Sequence, residues 1–424
     1  MPPTRSREKG SSPARPGRGR RAGPRTPAPG PRLVWGSPLP PTRSGVADYA
    51  AELLPHLSAA AEVTVLEPPD WEPPADAPWL AGVARARWDA PAPAGACALL
   101  HIGNNPYHLW VARRLRTSGG MVVLHDSVLH HLLVEEAAAD GAWPRFAGEL
   151  ERAHGAAGAA IAAAREWGYA GPLDPFLLPA RQVYLSHASA VIVHNERAAR
   201  DVRAACPGLP VVTVPLAVGA LPAGDRRSWR RRLGVERDEL LAVHLGFLTA
   251  AKGLDTILRA LAAAAELGVA ARLVVVGEGR EREAFDALVG AAGLGERVLV
   301  WGYASPGDLG GILAAADLGL VPRYPTAGET SAAVLRFLAA GTPVAVAGYG
   351  QFLEFPEQAA LRIAPGRAGV ADLVRAMAWL GGDRSARRGA RAAARQAWED
   401  GGHEPARAAG KLLAAVAELA GDVA

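Results

Sequence analysis

The sequence predicts an α/β chain of two doubly wound, Rossmann-like domains that face each other across a cleft. Short apolar runs, several of them β-branched, alternate with helical patterns along the chain after residue 32. The runs do not alternate apolar with polar residues, as is typical of parallel strands buried on both faces. The pattern breaks at residues 219–225 and then restarts. We therefore expect two sheets of similar size joined by a short linker.

The apolar runs place the strands of each sheet. In the first half they begin at Leu33, Val63, Ala98, Met121, Ala190 and Val211, and in the second at Leu241, Arg272, Val298, Leu318, Val344 and Leu361. An amphipathic helical pattern follows Trp398. We expect a first domain over residues 33–220, a second over 221–400 and a terminal helix over 401–424.

The N-terminal segment differs in composition from the rest. Residues 1–32 carry nine Lys/Arg and one Glu, a balance of +8, so the total of +4 leaves residues 33–424 at −4. A Pro-, Gly-, Ser- and Arg-rich stretch with so few apolar residues cannot bury enough apolar surface to offset the cost of ordering, so it is expected to be disordered. Two readings stay open: a charge contact with an anionic membrane or with nucleic acid, without sequence specificity, or an extension that follows from a start codon assigned too early.

Cysteine content and hydropathy indicate the expected cellular compartment. Only Cys97 and Cys206 are present, one in an apolar run and one beside Pro207, which argues against a disulfide framework. No window reaches the 18 apolar residues of a membrane span, and no apolar signal-peptide core follows the N-terminus. The expected location is the cytoplasm, with peripheral contact at the inner face of the plasma membrane as a variant. The sequence does not indicate an oligomeric state.

Ligands of α/β sheets bind beyond the carboxyl ends of the strands, so motifs at those ends are the candidate sites. After the first strand, a Pro-rich loop reaches Ser44-Gly45 and enters a helix, which suits backbone approach to a ligand but is also an ordinary turn. After the third, Asn104, Asn105 and His108 could hold hydroxyls of an acceptor or a donor, or form an Asn-Pro turn.

Histidines and a carboxylate follow the fourth strand. His125-Asp126 ends it, and His130 and His131 come next. The spacing matches no zinc motif, and Asp126 could equally cap the following helix, so we expect no metal.

Phosphate-binding features mark the second half. Gly246 to Gly253 follows its first strand, and Lys252 there could neutralise a phosphate or simply be solvated. Gly277 follows the next strand in a Gly-Glu-Gly turn. Arg323 to Val346, reading RYPTAGETSAAVLRFLAAGTPVAV, predicts a loop, a helix, a turn and a strand. The helix start at Thr330-Ser331 can seat a phosphate, and Glu329 beside it can accept hydrogen bonds from hydroxyls. That combination suits a sugar phosphate.

The stretch PTAGETSAAVLRFLAAGTPV resembles the donor-binding signature of the family 4 retaining glycosyltransferases, which have the GT-B fold. The resemblance implies that Glu329 contacts the donor sugar and that the helix after it receives the diphosphate. It also implies that His125 hydrogen-bonds the primary hydroxyl of that sugar and that Lys252 neutralises the diphosphate.

The same resemblance covers about residues 33–420 and assigns the remaining motifs. The Gly45 loop would approach the diphosphate and the sugar from the opposite wall, and the loop at Gly277 would line the nucleotide pocket. From their positions at strand ends, we also expect Gly246 to bind the donor and Asp126 and the Asn104 motif to lie on the acceptor side. The terminal helix would cross back onto the first domain.

Two positions depart from the family pattern. Phe247 stands where the family has an arginine, and Arg336 stands where it has a second glutamate that binds the ribose. Taking Glu329 and Arg336 to lie on one helix about two turns apart, we predict that Arg336 reaches the diphosphate or the ribose. The alternative is a solvated or Glu329-paired arginine.

The function implied is retaining transfer of a hexose-type sugar from a nucleoside diphosphate to an unidentified acceptor, such as a glycan, a lipid-linked sugar or a small molecule, without metal or other cofactor. The departures support a second hypothesis, a catalytically silent module that binds a nucleotide sugar. A nucleotide-sugar epimerase or a sugar phosphorylase is a further alternative, but the phosphorylase would need pyridoxal phosphate on a lysine, and among the few lysines after residue 32 only Lys252 lies in a motif.

Overall fold

The structure is a computed structural model that describes residue 1 and residues 31–423. The expected disordered tail, residues 1–32, lies almost entirely outside the described residues. From Pro31 onward the chain forms one compact unit.

The first sheet has seven parallel strands in the order β3-β2-β1-β4-β5-β6-β7. Six of them overlap the expected runs. The exception, β3, reads Ala-Arg-Ala-Arg and is mostly exposed at the sheet edge, so it carries no apolar run that could signal it. The strands are β1 Arg32–Gly36, β2 Glu62–Glu67, β3 Ala84–Arg87, β4 Cys97–Ile102, β5 Gly120–Leu124, β6 Ala188–Val193 and β7 Val211–Thr213.

The second sheet has six parallel strands in the order β10-β9-β8-β11-β12-β13, and all six were expected. In both sheets the strand order reverses beside the first strand of the domain, which is where doubly wound sheets bind ligands. These strands are β8 Leu240–Leu245, β9 Ala271–Val276, β10 Val298–Gly302, β11 Leu318–Val321, β12 Val344–Ala347 and β13 Ala360–Ile363.

Helices cover both faces of each sheet. The helices of the first domain are α1 Gly45–Ser58, α2 Leu109–Ser118, α3 His130–Asp140, α4 Trp143–His154, α5 Ala156–Glu166, α6 Asp174–Leu177, α7 Arg181–Leu185 and α8 Glu196–Ala205. Those that follow are α9 Arg226–Arg232, α10 Leu254–Glu266, α11 Arg282–Ala291, α12 Pro306–Ala315, α13 Ala332–Ala339, α14 Val370–Gly382, α15 Arg384–Gly401 and α16 Pro405–Val423. No helix among the described residues is both long and apolar enough to cross a membrane.

One apolar cluster joins the two domains. It runs from Trp35 and Leu57 in the first domain to Phe337 in the second, and it includes Leu412 and Leu419 of α16. Helix α16 packs against α1, so the expected return of the terminal helix onto the first domain is confirmed. Burying a leucine fully stabilises the folded state by about 1.5–3 kcal/mol, so the leucines of α16 hold the C-terminal helix against the first domain.

Candidate active site

The carboxyl ends of the two sheets border a common cleft of about 760 Å³. Its first-domain wall is the loop from Pro40 to Gly45, and its second-domain wall includes Gly246 and Gly277. Ser44 caps α1, its Oγ accepting a hydrogen bond from the Ala47 N–H at 3.1 Å. A Cβ added at Gly45 would meet no atom within 4 Å, so this helix start is open to the cleft.

The glycines of the opposite wall are required by close backbone contact. Gly277 has φ +141°, and a Cβ there would lie 2.0 Å from the Gly246 carbonyl oxygen. Gly246 has φ +145°, and its Cβ would lie 3.3 Å from Lys252 Nζ. The Lys252 ammonium is therefore held directly over the backbone of this wall, on the turn Ala250–Lys252.

Lys252 shares its surroundings with Arg323 and with a carboxylate from the other domain. Burial, together with the charge of Arg323, lowers the pKa of Lys252 to about 7, although Asp126 opposes the shift. Burial raises the pKa of Asp126, against the hydrogen bond from the Asn104 N–H at 2.8 Å and the charges of Arg323 and Lys252. Two cations of the second domain thus face one carboxylate of the first.

The loop before α13 is held by side-chain contacts. Glu329 forms an ion pair with Arg323, and its second oxygen accepts a hydrogen bond from Thr326 Oγ1 at 2.9 Å. Gln351 Nε2 donates to the Glu329 carbonyl oxygen at 3.0 Å. Ser331 caps α13, its Oγ accepting from the Val334 N–H at 3.4 Å.

The helix begins at Ala332, so Glu329 lies in the loop before it. The prediction that Glu329 and Arg336 lie about two turns apart on one helix is therefore wrong. The Gly at position 328, with φ +81°, keeps the chain out of helical geometry until the Ser331 cap.

His125 lies in a cluster of rings from the first domain. Its Nε2 is 3.0 Å from His101 Nδ1, and its ring centroid is 5.0 Å from that of His194 and 5.2 Å from that of Tyr49. Burial lowers the pKa of His125 and of His101 well below the usual imidazole range, with a further contribution from His194. Burial also lowers the pKa of His194 to about 4. These rings are neutral at pH 7, so His125 can serve as a hydrogen-bonding group but not as a cation.

The Asn104 motif is bound up in local contacts. The Asn104 amide lies 2.8 Å from His131 Nδ1 and accepts from the Leu132 N–H at 3.1 Å, which supports the start of α3. Asn105 accepts from the Tyr107 N–H at 3.1 Å, as in an Asn-Pro turn. His108 is fully buried and its Nδ1–H donates to the His101 carbonyl oxygen at 2.8 Å. The backbone N–H of Asn104 also donates to the Asp126 carboxylate at 2.8 Å.

The histidines after β5 diverge. His130 Nδ1–H donates to the Leu178 carbonyl oxygen at 2.8 Å and its ring packs on Phe146, inside the first domain. Within the described residues, no three His, Cys, Asp or Glu side chains are grouped so as to hold a metal ion.

Arg336 lies in the cleft wall but contacts the first domain. It pairs with Glu52 of α1 and donates from Nη1 to the Gly219 carbonyl oxygen at 2.5 Å. Glu52 in turn accepts from the Gly219 N–H at 2.6 Å. The alternative of a pair with Glu329 is wrong, because Arg323 takes that place. Phe247 borders the same cleft with 52% of its surface exposed.

Hydrogen bonds from the end of β6 dock the Glu329 loop on the first domain. Thr330 Oγ1 donates to the His194 carbonyl oxygen at 3.0 Å and accepts from Asn195 Nδ2 at 2.9 Å. Sequence reasoning missed His194, Asn195 and Arg323. The signal was available, since these residues directly follow the ends of β6 and β11.

The fold resembles those of solved glycosyltransferases. The chain resembles sucrose-phosphate synthase of Thermosynechococcus elongatus (TM-score 0.62, 18% identity, covering 93% of this chain and 100% of that one). It also resembles HepE of Anabaena in complex with UDP-glucose (TM-score 0.58, 15% identity, 92% and 99%) and the lipopolysaccharide glycosyltransferase WaaG (TM-score 0.54, 17% identity, 87% and 95%). These likenesses show a GT-B fold.

Sequence comparison finds one matching family model. Residues 225–397 match the model of the glycosyl transferases group 1. Over 190 residues the chain is 33% identical to D-inositol 3-phosphate glycosyltransferase of Mycobacterium tuberculosis (42% of this chain, 38% of that protein). Over 146 residues it is 31% identical to the enzyme of that name from Segniliparus rotundus (34% and 32%). The matches span about a third of the length of these curated relatives.

Proposed function

We propose that the chain is a family 4 retaining glycosyltransferase that moves a hexose-type sugar from a nucleoside diphosphate to an acceptor bound mainly by the first domain. The observation that carries the proposal is a group of charges that meets across the two domains. Lys252 and Arg323 of the second domain face Asp126 of the first. Arg323 also pairs with Glu329, and Asp126 directly follows His125 in the chain.

The cations serve the leaving group. Breaking the glycosidic bond leaves negative charge on the diphosphate, and catalysis gains most from groups already oriented toward that charge. Lys252 lies over the backbone of Gly246, and Arg323 lies beside it, near the N-terminus of α13. Arg323 then adds a second positive charge beside Lys252. On approach of a diphosphate, the fraction of Lys252 present as the neutral amine takes up a proton from solution and becomes the ammonium, because an adjacent anion favours the charged form.

The sugar is held between the domains. His125 donates or accepts a hydrogen bond at a sugar hydroxyl, while Glu329 accepts from others, and both orient the anomeric carbon. The departing phosphate accepts the acceptor's proton, so the reaction uses neither a dedicated base nor a metal. HepE of Anabaena was solved with UDP and with UDP-glucose, which makes uridine diphosphate sugars the first donors to test.

A thermal-shift screen of nucleoside diphosphate sugars tests the donor assignment, because a ligand bound to the folded state raises the melting temperature by mass action. At a hundredfold excess over Kd the free energy of unfolding rises by about 2.7 kcal/mol. The anomeric configuration of the product, read from the NMR coupling of the transferred sugar, then tests retention. An inverted product, or no shift with any nucleotide sugar, would overturn the proposal.

A catalytically silent nucleotide-sugar module is the second candidate. It is favoured by Arg336, which occupies the position of the ribose-binding carboxylate and is engaged by Glu52. Slow hydrolysis of the bound donor without an acceptor separates the two, since only a competent leaving-group site supports it.

A further inference from the structure

A second positively charged cavity lies away from the donor cleft. Its volume is about 360 Å³, and it is lined by one carboxylate, Asp317, and by seven arginines of α9, of the turn after α9 and of α15. We call it the arginine pocket. Asp317 directly precedes β11, whereas Arg323 follows the same strand. Asp317 and Arg323 are six residue steps apart, and each step of extended chain spans about 3.3 Å. The pocket therefore lies about 20 Å from the donor site, at the opposite end of the sheet.

Both oxygens of the Asp317 carboxylate already accept hydrogen bonds. Asp317 Oδ1 accepts from Arg226 at 2.5 Å, and Oδ2 accepts from Arg230 at 2.8 Å and from the Leu241 N–H at 2.9 Å. Arg387 approaches it only to 4.0 Å. One carboxylate therefore cannot satisfy the guanidinium groups that surround it.

A purely structural role accounts for part of the cluster. Arg226 donates to the carbonyl oxygens of Ala314, Ala315 and Ala316, and Arg391 also donates to Ala316, so both neutralise the end of α12. That helix end carries about half a negative charge. Burial lowers the pKa of Arg391 to about 10, and the charge of Arg226 adds to the shift while Asp317 opposes it.

Three further arginines of the pocket are not engaged at the end of α12. Arg384 pairs with Asp238 at the exposed rim. Within the part of the chain that the structure describes, Arg237 and Arg388 make neither a hydrogen bond nor an ion pair with another side chain. Clustered like charges repel one another, so an arrangement of this kind is stabilised by a bound counter-ion.

We propose that the arginine pocket binds a phosphate-bearing anion, as a second anion site independent of the donor cleft. Guanidinium groups match phosphate oxygens in a bidentate fork, and the pocket offers several forks around a cavity large enough for a chain of two or three phosphates. Among the described residues, no aromatic side chain lines it, so this part of the chain supplies no stacking surface of the kind a nucleobase site has. The phosphate could be free in solution or carried by a lipid headgroup.

Calorimetric titration of the full chain with inorganic tripolyphosphate tests the proposal. The pocket variant is Arg387→Gln with Arg388→Gln, and the matched control is Arg227→Gln with Arg231→Gln, which removes the same charge from exposed positions of α9 outside the pocket. Because tripolyphosphate also suits the donor cleft, every titration is repeated on Lys252→Gln. We expect a binding component that survives Lys252→Gln and the control, and that weakens at least tenfold in the pocket variant.

A sedimentation assay with phosphoinositide-containing vesicles, against phosphatidylcholine vesicles, distinguishes the sources. Loss of tripolyphosphate binding in the pocket variant supports a free phosphate compound, and loss of vesicle binding alone supports a headgroup. Equal binding by the pocket variant and the control in both assays overturns the proposal. If the double variant does not fold, the exposed single change Arg388→Gln replaces it, and Arg387→Lys with Arg388→Lys should retain binding by charge.

Discussion

Arg336 of α13 and Glu52 of α1 form an ion pair across the two domains, and both also hydrogen-bond the backbone of Gly219 in the linker. The side chains are 13% and 25% exposed. The position at which the family pattern has a carboxylate for the ribose thus carries a cation that ties the two domains to their linker.

The first prediction concerns that pair. Arg336→Ala and Glu52→Gln should each destabilise the protein, because each leaves a half-buried charged partner and part of the Gly219 backbone without its contact. Groups in one such network show coupling energies of about 0.5–3 kcal/mol in a double-mutant cycle. Chemical denaturation of the wild type, both single variants and the double variant measures it. Strictly additive effects would show that the pair contributes nothing jointly.

The second prediction concerns Lys252 and pH. Its folded-state pKa of about 7 lies below the unfolded value of 10.5, so free Lys252 loses its charge as the pH rises through 7. A bound diphosphate raises that pKa again, so binding should take up protons above pH 7 and weaken as the pH rises toward the pKa of the complex. Calorimetry of a nucleoside diphosphate in buffers of different ionisation enthalpy measures the uptake. Lys252→Arg, which stays charged, should abolish it, and uptake that persists in that variant would assign the proton to another group.

The same shift predicts a change in stability. Because the unfolded chain binds the Lys252 proton more tightly than the folded one, this group destabilises the fold fully below pH 7, and the penalty is lost as the pH rises from 7 to 10.5. Denaturation of the wild type and Lys252→Met across that range should show a slope in their difference. Parallel profiles would contradict the depressed pKa.

The third prediction concerns His125. His125→Ala should lower turnover by about a hundredfold, the scale of losing one oriented polar group, without unfolding the protein. Because burial lowers the pKa of His125 well below the usual range, its protonation should not limit activity between pH 6 and 8. The control is His187→Ala, which alters a histidine just before the N-terminal end of β6. Near-normal transfer by a folded His125→Ala would refute the role.

Sequence periodicity sufficed for the sheets because buried parallel strands are continuous apolar runs, and it failed at β3, where an edge strand of Ala and Arg has no such run. The strand-end rule located Lys252, Asp126 and Glu329 in one region. It could not reveal the partners of Arg336, because Glu52 is 284 residues away in the chain and only domain packing brings the two together. The prediction that Glu329 and Arg336 share a helix failed for a local reason, because the Ser331 cap starts the helix after Glu329.

The last prediction restores the charge that the family pattern places at position 247. Phe247 is half-exposed on the cleft wall that holds Gly246, so its replacement uncovers only part of a side chain. Phe247→Arg should strengthen nucleoside diphosphate binding by about 1.5–3 kcal/mol, the usual contribution of a charge-assisted hydrogen bond, and leave nucleoside binding nearly unchanged. Phe247→Gln, polar but uncharged, is the matched control, and the gain should fall with added salt. If Phe247→Arg binds diphosphate no better than Phe247→Gln, then Lys252 and Arg323 already neutralise the diphosphate and the missing arginine is compensated from β11.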